Sequence, residues 1–102
     1  MIHIKVLKKE NHISKIILKG HAEFADFGKD IVCAGVSSIL TTTVNGILKI
    51  NKQAINYKGD SGNFQVNVNS TDEITQILLE NMMDLFKELE QNYKKNIKVE
   101  ED

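Results

Sequence analysis

Between Asp30 and Lys49 the chain carries no charged side chain, and this gap limits the possible folds more than any other stretch. A strand rarely runs so long, and Val32, Val36, Ile39, Val44, Ile47 and Leu48 recur at helical spacing. Gly35, Gly46 and the Thr41 to Thr43 run are poor helix formers, so length rather than composition decides for a helix from Ile31 to about Ile50. With no charge on any face, the spacing predicts a helix buried on most sides. The remaining elements must then be arranged around it.

Those elements read as strands and one further helix. Ile2, Ile4 and Val6 alternate with His3, Lys5 and Leu7, the two-residue period of a half-buried strand. Ile13 to Lys19 pairs back on it as a hairpin and ends at Gly20. Beyond the uncharged helix, Ala54 to Lys58 and Phe64 to Asn69 flank a turn rich in glycine, aspartate and asparagine. Ser70 followed by Glu73 has the pattern of a capping box. It opens a helix whose apolar stripe reads Ile74, Ile77, Leu78, Met82, Leu85, Phe86, Leu89 and Tyr93. Leu79 and Met83 are a surplus that extra core or a partner subunit would absorb. Asn96 to Val99 reads as a last strand. The order ββαββαβ implies a single α+β domain over residues 1–102, with a mostly antiparallel sheet packed against two helices.

Bulk properties narrow the function. The 102 residues include 13 basic and 14 acidic ones, a net charge of -1, which gives no general attraction to nucleic acid. No run approaches the roughly 20 apolar residues that span a bilayer, and the N-terminus alternates instead of showing a signal-peptide core. A cytoplasmic protein is expected. One cysteine cannot form an internal disulfide, which agrees with a reducing compartment.

That cysteine, Cys33, follows Asp30 by three residues, while His21 stands at a strand exit. If Asp30 caps the long helix, Cys33 lies in its first turn, where unpaired N–H groups and the helix dipole favour a thiolate. His21 is then the natural proton acceptor, and the first-turn N–H groups face the oxyanion of a tetrahedral intermediate. Asp30 either caps the helix or orients the imidazole, and Ser37 is one turn beyond Cys33 on the same face. Each residue has a plainer reading as well. A lone cysteine is often inert packing, Asp30 a cap, Ser37 a donor to a carbonyl one turn back, and Phe24 and Phe27 core plugs. The stretch from residue 22 to 30 reads as a mobile loop, in which Phe24, Phe27 and Gly28 would form a lid over an apolar substrate segment. A closed zinc site wants four ligands and these are missing, and Gly20, Gly28 and Gly35 do not form a nucleotide fingerprint. Neither metal nor cofactor is expected.

At these residues the chain resembles the ribosomal-processing cysteine protease family, often called Prp, whose signature is Gly-His followed by Asp-x-x-Cys-x-x-x-Ser. Here that reads Gly20, His21, Asp30, Cys33 and Ser37, with Ala22, Gly28, Val32, Ala34 and Val36 also matching. The resemblance implies an endopeptidase that removes the N-terminal extension of large-subunit ribosomal protein twenty-seven. It implies Cys33 as nucleophile, His21 as acid-base partner, a homodimer, a loop over the site and a phenylalanine-containing apolar segment before the cut. The competing expectations are a non-catalytic ribosome-associated binding module, with Cys33 in the core, and a lone-thiol redox protein.

Overall fold

The computed structural model describes residues 1–20, 27–60 and 62–102. Its elements are β1 (Ile2–Lys9), β2 (His12–Lys19), α1 (Phe27–Ile50), β3 (Ile55–Asp60), β4 (Asn63–Val68), α2 (Glu73–Asn92) and β5 (Ile97–Glu101), the order the sequence predicts. They form a five-stranded sheet in the order β3-β4-β2-β1-β5. Three pairings are antiparallel, and β5 joins β1 in parallel. The parallel edge has a simple cause: β4 runs in the same direction as β1, and α2 carries the chain back before β5 begins.

The first hairpin shows how the sequence sets its register. Ile2, Ile4 and Val6 are buried while His3 and Lys5 are exposed, as the alternation requires. Opposite them, the pairing slips between Leu7 and Lys8, so that Lys15 and Ile13 face these two residues and Ser14 is the extra one. Its hydroxyl donates to the Leu7 carbonyl at 3.0 Å. This bulge re-phases β2, which is why Ile13 and Ile16 both point into the core although they are an odd number of positions apart.

α1 corrects two expectations. It begins at Phe27, not Ile31, and it is not buried on most sides: Val32, Val36, Leu40, Val44 and Ile47 face the core while Ala34, Ser38 and Thr42 are exposed. Small and hydroxylated residues are tolerated at a surface, so the lack of charge did not mean burial. Ile31–Ile50 also has the length and mean hydropathy, 1.7, of a membrane-crossing helix, contrary to the sequence reading. In this fold its buried positions join one core with the sheet and α2. Leu89 of α2 would lie 3.4 Å from a Cβ placed on Gly35, so this glycine sets how closely the two helices approach.

α2 is rotated relative to its expected stripe. Leu79, Met82, Met83 and Phe86 are its buried apolar residues, whereas Ile74, Ile77 and Leu85 are exposed. The N-cap is Asp72 rather than Ser70, and its carboxylate accepts from the Thr75 N–H at 3.0 Å and the Thr75 hydroxyl at 2.7 Å. Ser70 instead supports the cap by donating its hydroxyl to Asp72. Buried Gln76 becomes the contact to β2, with its amide bonded to both the N–H and the carbonyl of Ile13 at 2.8 and 3.0 Å.

Candidate active site

Cys33 lines a groove of about 510 Å³ between α1 and the β3–β4 hairpin. The floor is apolar, formed by Leu18, Val36, Leu40 and Val44. Along one rim of α1 stand Cys33, Ser37, Thr41 and Asn45, each four residues after the last, a row that winds gradually around the helix. The opposite wall carries Tyr57 and Phe64, whose rings stack with centroids 5.5 Å apart and planes 22° from parallel. Cys33 is half-buried while Ser37, Thr41, Asn45 and Tyr57 are exposed, so the groove is open to solvent along its length. Cys33 thus packs against the core on one side and lines the groove on the other.

Gly20 closes one end of this groove. Its φ is +94°, a conformation that glycine adopts without penalty, and its N–H donates to the Gly62 carbonyl at 2.9 Å. A Cβ here would overlap the carbonyl oxygen of Met1. The end of β2 is therefore wedged between the start of β1 and the turn of the second hairpin. This is a backbone reason for glycine immediately before His21.

The local geometry changes the expected origin of any thiolate stabilisation. Because α1 starts at Phe27, Asp30 is not its N-cap and Cys33 is in the second turn, where N–H groups bond to carbonyls four residues back. The Cys33 N–H is then committed to the helix instead of facing an oxyanion. The helix dipole is felt within the first turn, so its effect on the thiol is also weaker than the sequence implied. The physical reason is that Phe27 and Gly28 are helical, not part of a loop as expected. His21 and Phe24 lie outside the described residues, as do the side chains of Phe27 and Asp30. Asp72 and Glu101, which among the described residues are held below the usual carboxyl range, do not line the groove. Among the described residues no cluster of histidine, cysteine and carboxylate side chains is arranged to hold a metal ion.

Comparison with known proteins shows the family of the chain. The pattern defining the cysteine protease Prp family matches residues 1–98. The chain belongs to that family. It is 32% identical over 93 residues to the ribosomal processing cysteine protease Prp of Staphylococcus aureus, covering 88% of each chain. The Bacillus subtilis protein of the same description is 32% identical over 89 residues, covering 80% of each. Two crystal structures of the essential ribosomal processing protease Prp from S. aureus superpose over the full length of both chains. The one with a covalently linked product peptide gives a TM-score of 0.89 at 28% identity, and the one with a substrate peptide gives 0.91 at 26%. Family membership makes the chain a cysteine protease, and Cys33 is its one cysteine.

The sequence singled out Cys33, Ser37 and Gly20, and the structure brings all three to one groove. It did not single out Thr41, Asn45, Tyr57 or Phe64 as site residues. For the first two a signal existed: continuing the four-residue step from Cys33 through Ser37 leads directly to them.

Proposed function

We propose that the chain is an endopeptidase that removes the N-terminal extension of large-subunit ribosomal protein twenty-seven, with Cys33 as nucleophile and His21 as acid-base partner. The observation that carries this reading is that Cys33 and Gly20 line the same groove, and His21 is covalently next to Gly20. The imidazole takes the thiol proton and the sulfur attacks the scissile carbonyl, forming a tetrahedral intermediate. The imidazolium then gives its proton to the departing amine, leaving a thioester on Cys33. Water, deprotonated at His21, adds to the thioester and releases the extension as a free acid. Ser37 offers a hydroxyl donor on the groove side of α1, one turn from Cys33.

The groove also supports the substrate class, since its floor and its Tyr57–Phe64 wall suit an apolar, phenylalanine-containing segment. The reading places the reaction in the cytoplasm, where ribosomal proteins are matured. It takes the active species as a homodimer, with the exposed Ile74, Ile77 and Leu85 on α2 as apolar surface for a second copy.

The test is incubation of the protein with the ribosomal precursor under reducing conditions, followed by mass spectrometry. Cleavage at one bond is expected, lost in Cys33→Ala and in His21→Ala. Intact precursor with the unmodified protein would leave the binding-module reading. Cleavage that survives Cys33→Ala would remove the thiolate mechanism.

A further inference from the structure

The net charge of -1 is not spread evenly over the surface. Both helices cover one face of the sheet, and strand register fixes which side chains stand on the other. One row across that outer face reads Lys58, Gln65, Ile17, Lys5 and Glu100. The flanking rows set Lys15 between Asn67 and Leu7, and Lys19 between Asn63 and His3. Lys19 and Lys58 are exposed and Lys15 is half-buried. Among the described side chains of β2, β3 and β4 no carboxylate shares this face. The acids described on it stand at the β5 end: Glu100, and Asp102 at 3.8 Å from the Lys5 ammonium. Glu80, Asp84 and Glu88 are on α2, behind the sheet. Between Lys58 on β3 and Lys15 on β2 lies a chain of amides, in which Gln65 donates to Asn67 at 3.0 Å and Asn67 to Asn56 at 3.1 Å.

We propose that this outer face binds double-helical RNA: Lys15, Lys19 and Lys58 neutralise phosphates, and the Asn56, Gln65 and Asn67 amides meet 2′-hydroxyls in the shallow groove. Lys15 and Lys19 are about 14 Å apart along β2, and Lys58 is two strand spacings, about 10 Å, to the side. Positive charge over such an area suits a polymer with a phosphate on every unit better than one small anion. The amides add neutral donors and acceptors, which a ribose hydroxyl can use. An anionic membrane calls for apolar side chains that insert, and none of the exposed large hydrophobic residues belongs to this face. Single strands are held by stacking on aromatic rings, but Tyr57 and Phe64 alternate with Lys58 and Gln65 and so face the groove. The same two strands therefore present the groove on one side and the basic face on the other, leaving room for RNA and a peptide together. This inference does not depend on the protease reading.

The experiment is fluorescence anisotropy of a labelled RNA duplex of about 16 base pairs, titrated with the full chain over a range of salt concentrations. Micromolar binding at low salt is expected, with a slope of log K against log salt of about -3, from three phosphate contacts at about 0.9 each. Lys15→Gln/Lys19→Gln/Lys58→Gln should weaken binding by about tenfold or more at about 0.1 M salt and flatten the slope. Lys49→Gln/Lys94→Gln/Lys95→Gln removes the same charge from exposed sites elsewhere and should leave affinity and slope within about twofold. Lys58→Gln alone leaves β2 untouched and should reduce the slope by about 1, which tests the face even if the triple variant fails to fold. Asn56→Ala/Gln65→Ala/Asn67→Ala should abolish the preference for RNA over a DNA duplex of the same sequence. Equal losses in the two lysine triples, or no binding at low salt, would overturn the assignment of the face. Tighter binding to a single strand, to polyglutamate or to vesicles of anionic phospholipid would overturn the choice of duplex RNA.

Discussion

Replacing Gly20 by alanine should damage both stability and catalysis, while the same change at Gly46 should do neither. At φ +94° an L-residue is strained by about 1–2 kcal/mol. The new methyl would overlap the Met1 carbonyl oxygen and lie 3.2 Å from its carbon and 3.5 Å from Ile2 Cα. To relieve this, residues 1 and 2 must retreat by about 1 Å. They cannot do so cheaply, because Ile2 is buried and its N–H donates to the Asn96 carbonyl at 2.9 Å. Strain and displacement together come to about 2–3 kcal/mol. In a domain of this size each kcal/mol moves Tm by about 4–8 °C, so a fall of about 10–20 °C is expected by circular dichroism. A displacement of about 1 Å beside the site should lower kcat/KM by about a hundredfold, measured well below the variant's Tm. The control, Gly46→Ala, has nothing within 4 Å of the added methyl and replaces glycine inside α1, so it should raise stability by up to about 1 kcal/mol. If Gly20→Ala matched the unmodified protein in Tm and kcat/KM, the steric account of this position would be wrong.

Tyr57→Ala removes one half of the aromatic wall and should raise KM for the precursor peptide by about threefold to tenfold, with kcat nearly unchanged, as stacked pairs contribute about 0.5–1.5 kcal/mol. Phe86 is fully buried in α2, and Phe86→Ala should cost about 3–5 kcal/mol, visible as a lower urea midpoint with an unaltered slope. The hydroxyl of Ser70, then the hydroxyl and N–H of Thr75, hold Asp72 down from its ordinary 3.8 to about 2. A carboxylate lowered by folding stabilises fully above its unfolded value and loses that contribution as pH falls through its folded one. Between pH 4 and pH 2 the unmodified protein should therefore lose more Tm than Asp72→Asn, which still caps but does not titrate. Equal slopes would show that the cap's charge does not contribute.

Local patterns were legible wherever a single physical rule governs them. Period-two alternation identified β1 and β4, and a glycine-rich turn identified the second hairpin. The family signature found Cys33, Gly20 and Ser37, which share one groove. Helix starts were read less well. A Ser-x-x-Glu pattern competed with Asp72 two residues on, and the aspartate won because it engages both the N–H and the hydroxyl of Thr75. Which of the many apolar residues of α2 are buried is a matter of rotational phase, since Ile74 and Leu79 are equally hydrophobic and only phase distinguishes them. At α1 the start lies at Phe27 rather than Ile31, which removed the first-turn argument for Cys33. The Tyr57–Phe64 wall depends on the register of β3 on β4, which sets Tyr57 opposite Val66 and Gly59 opposite Phe64, and the turn residues alone did not give that register.

Pairing of β2 with β4 runs only as far as Lys15 and Asn67, yet Ile13 is not left with an open edge. The Gln76 side chain, an amide like the peptide group itself, takes over the role of a strand at this position from 63 residues away. An emerging chain can close its first hairpin long before Gln76 has been synthesised, but the last rung on this side must wait. Deuterium uptake at the Ile13 amide therefore gauges the docking of α2, and in Gln76→Ala it should become fast while the neighbouring Ile16 amide remains slow.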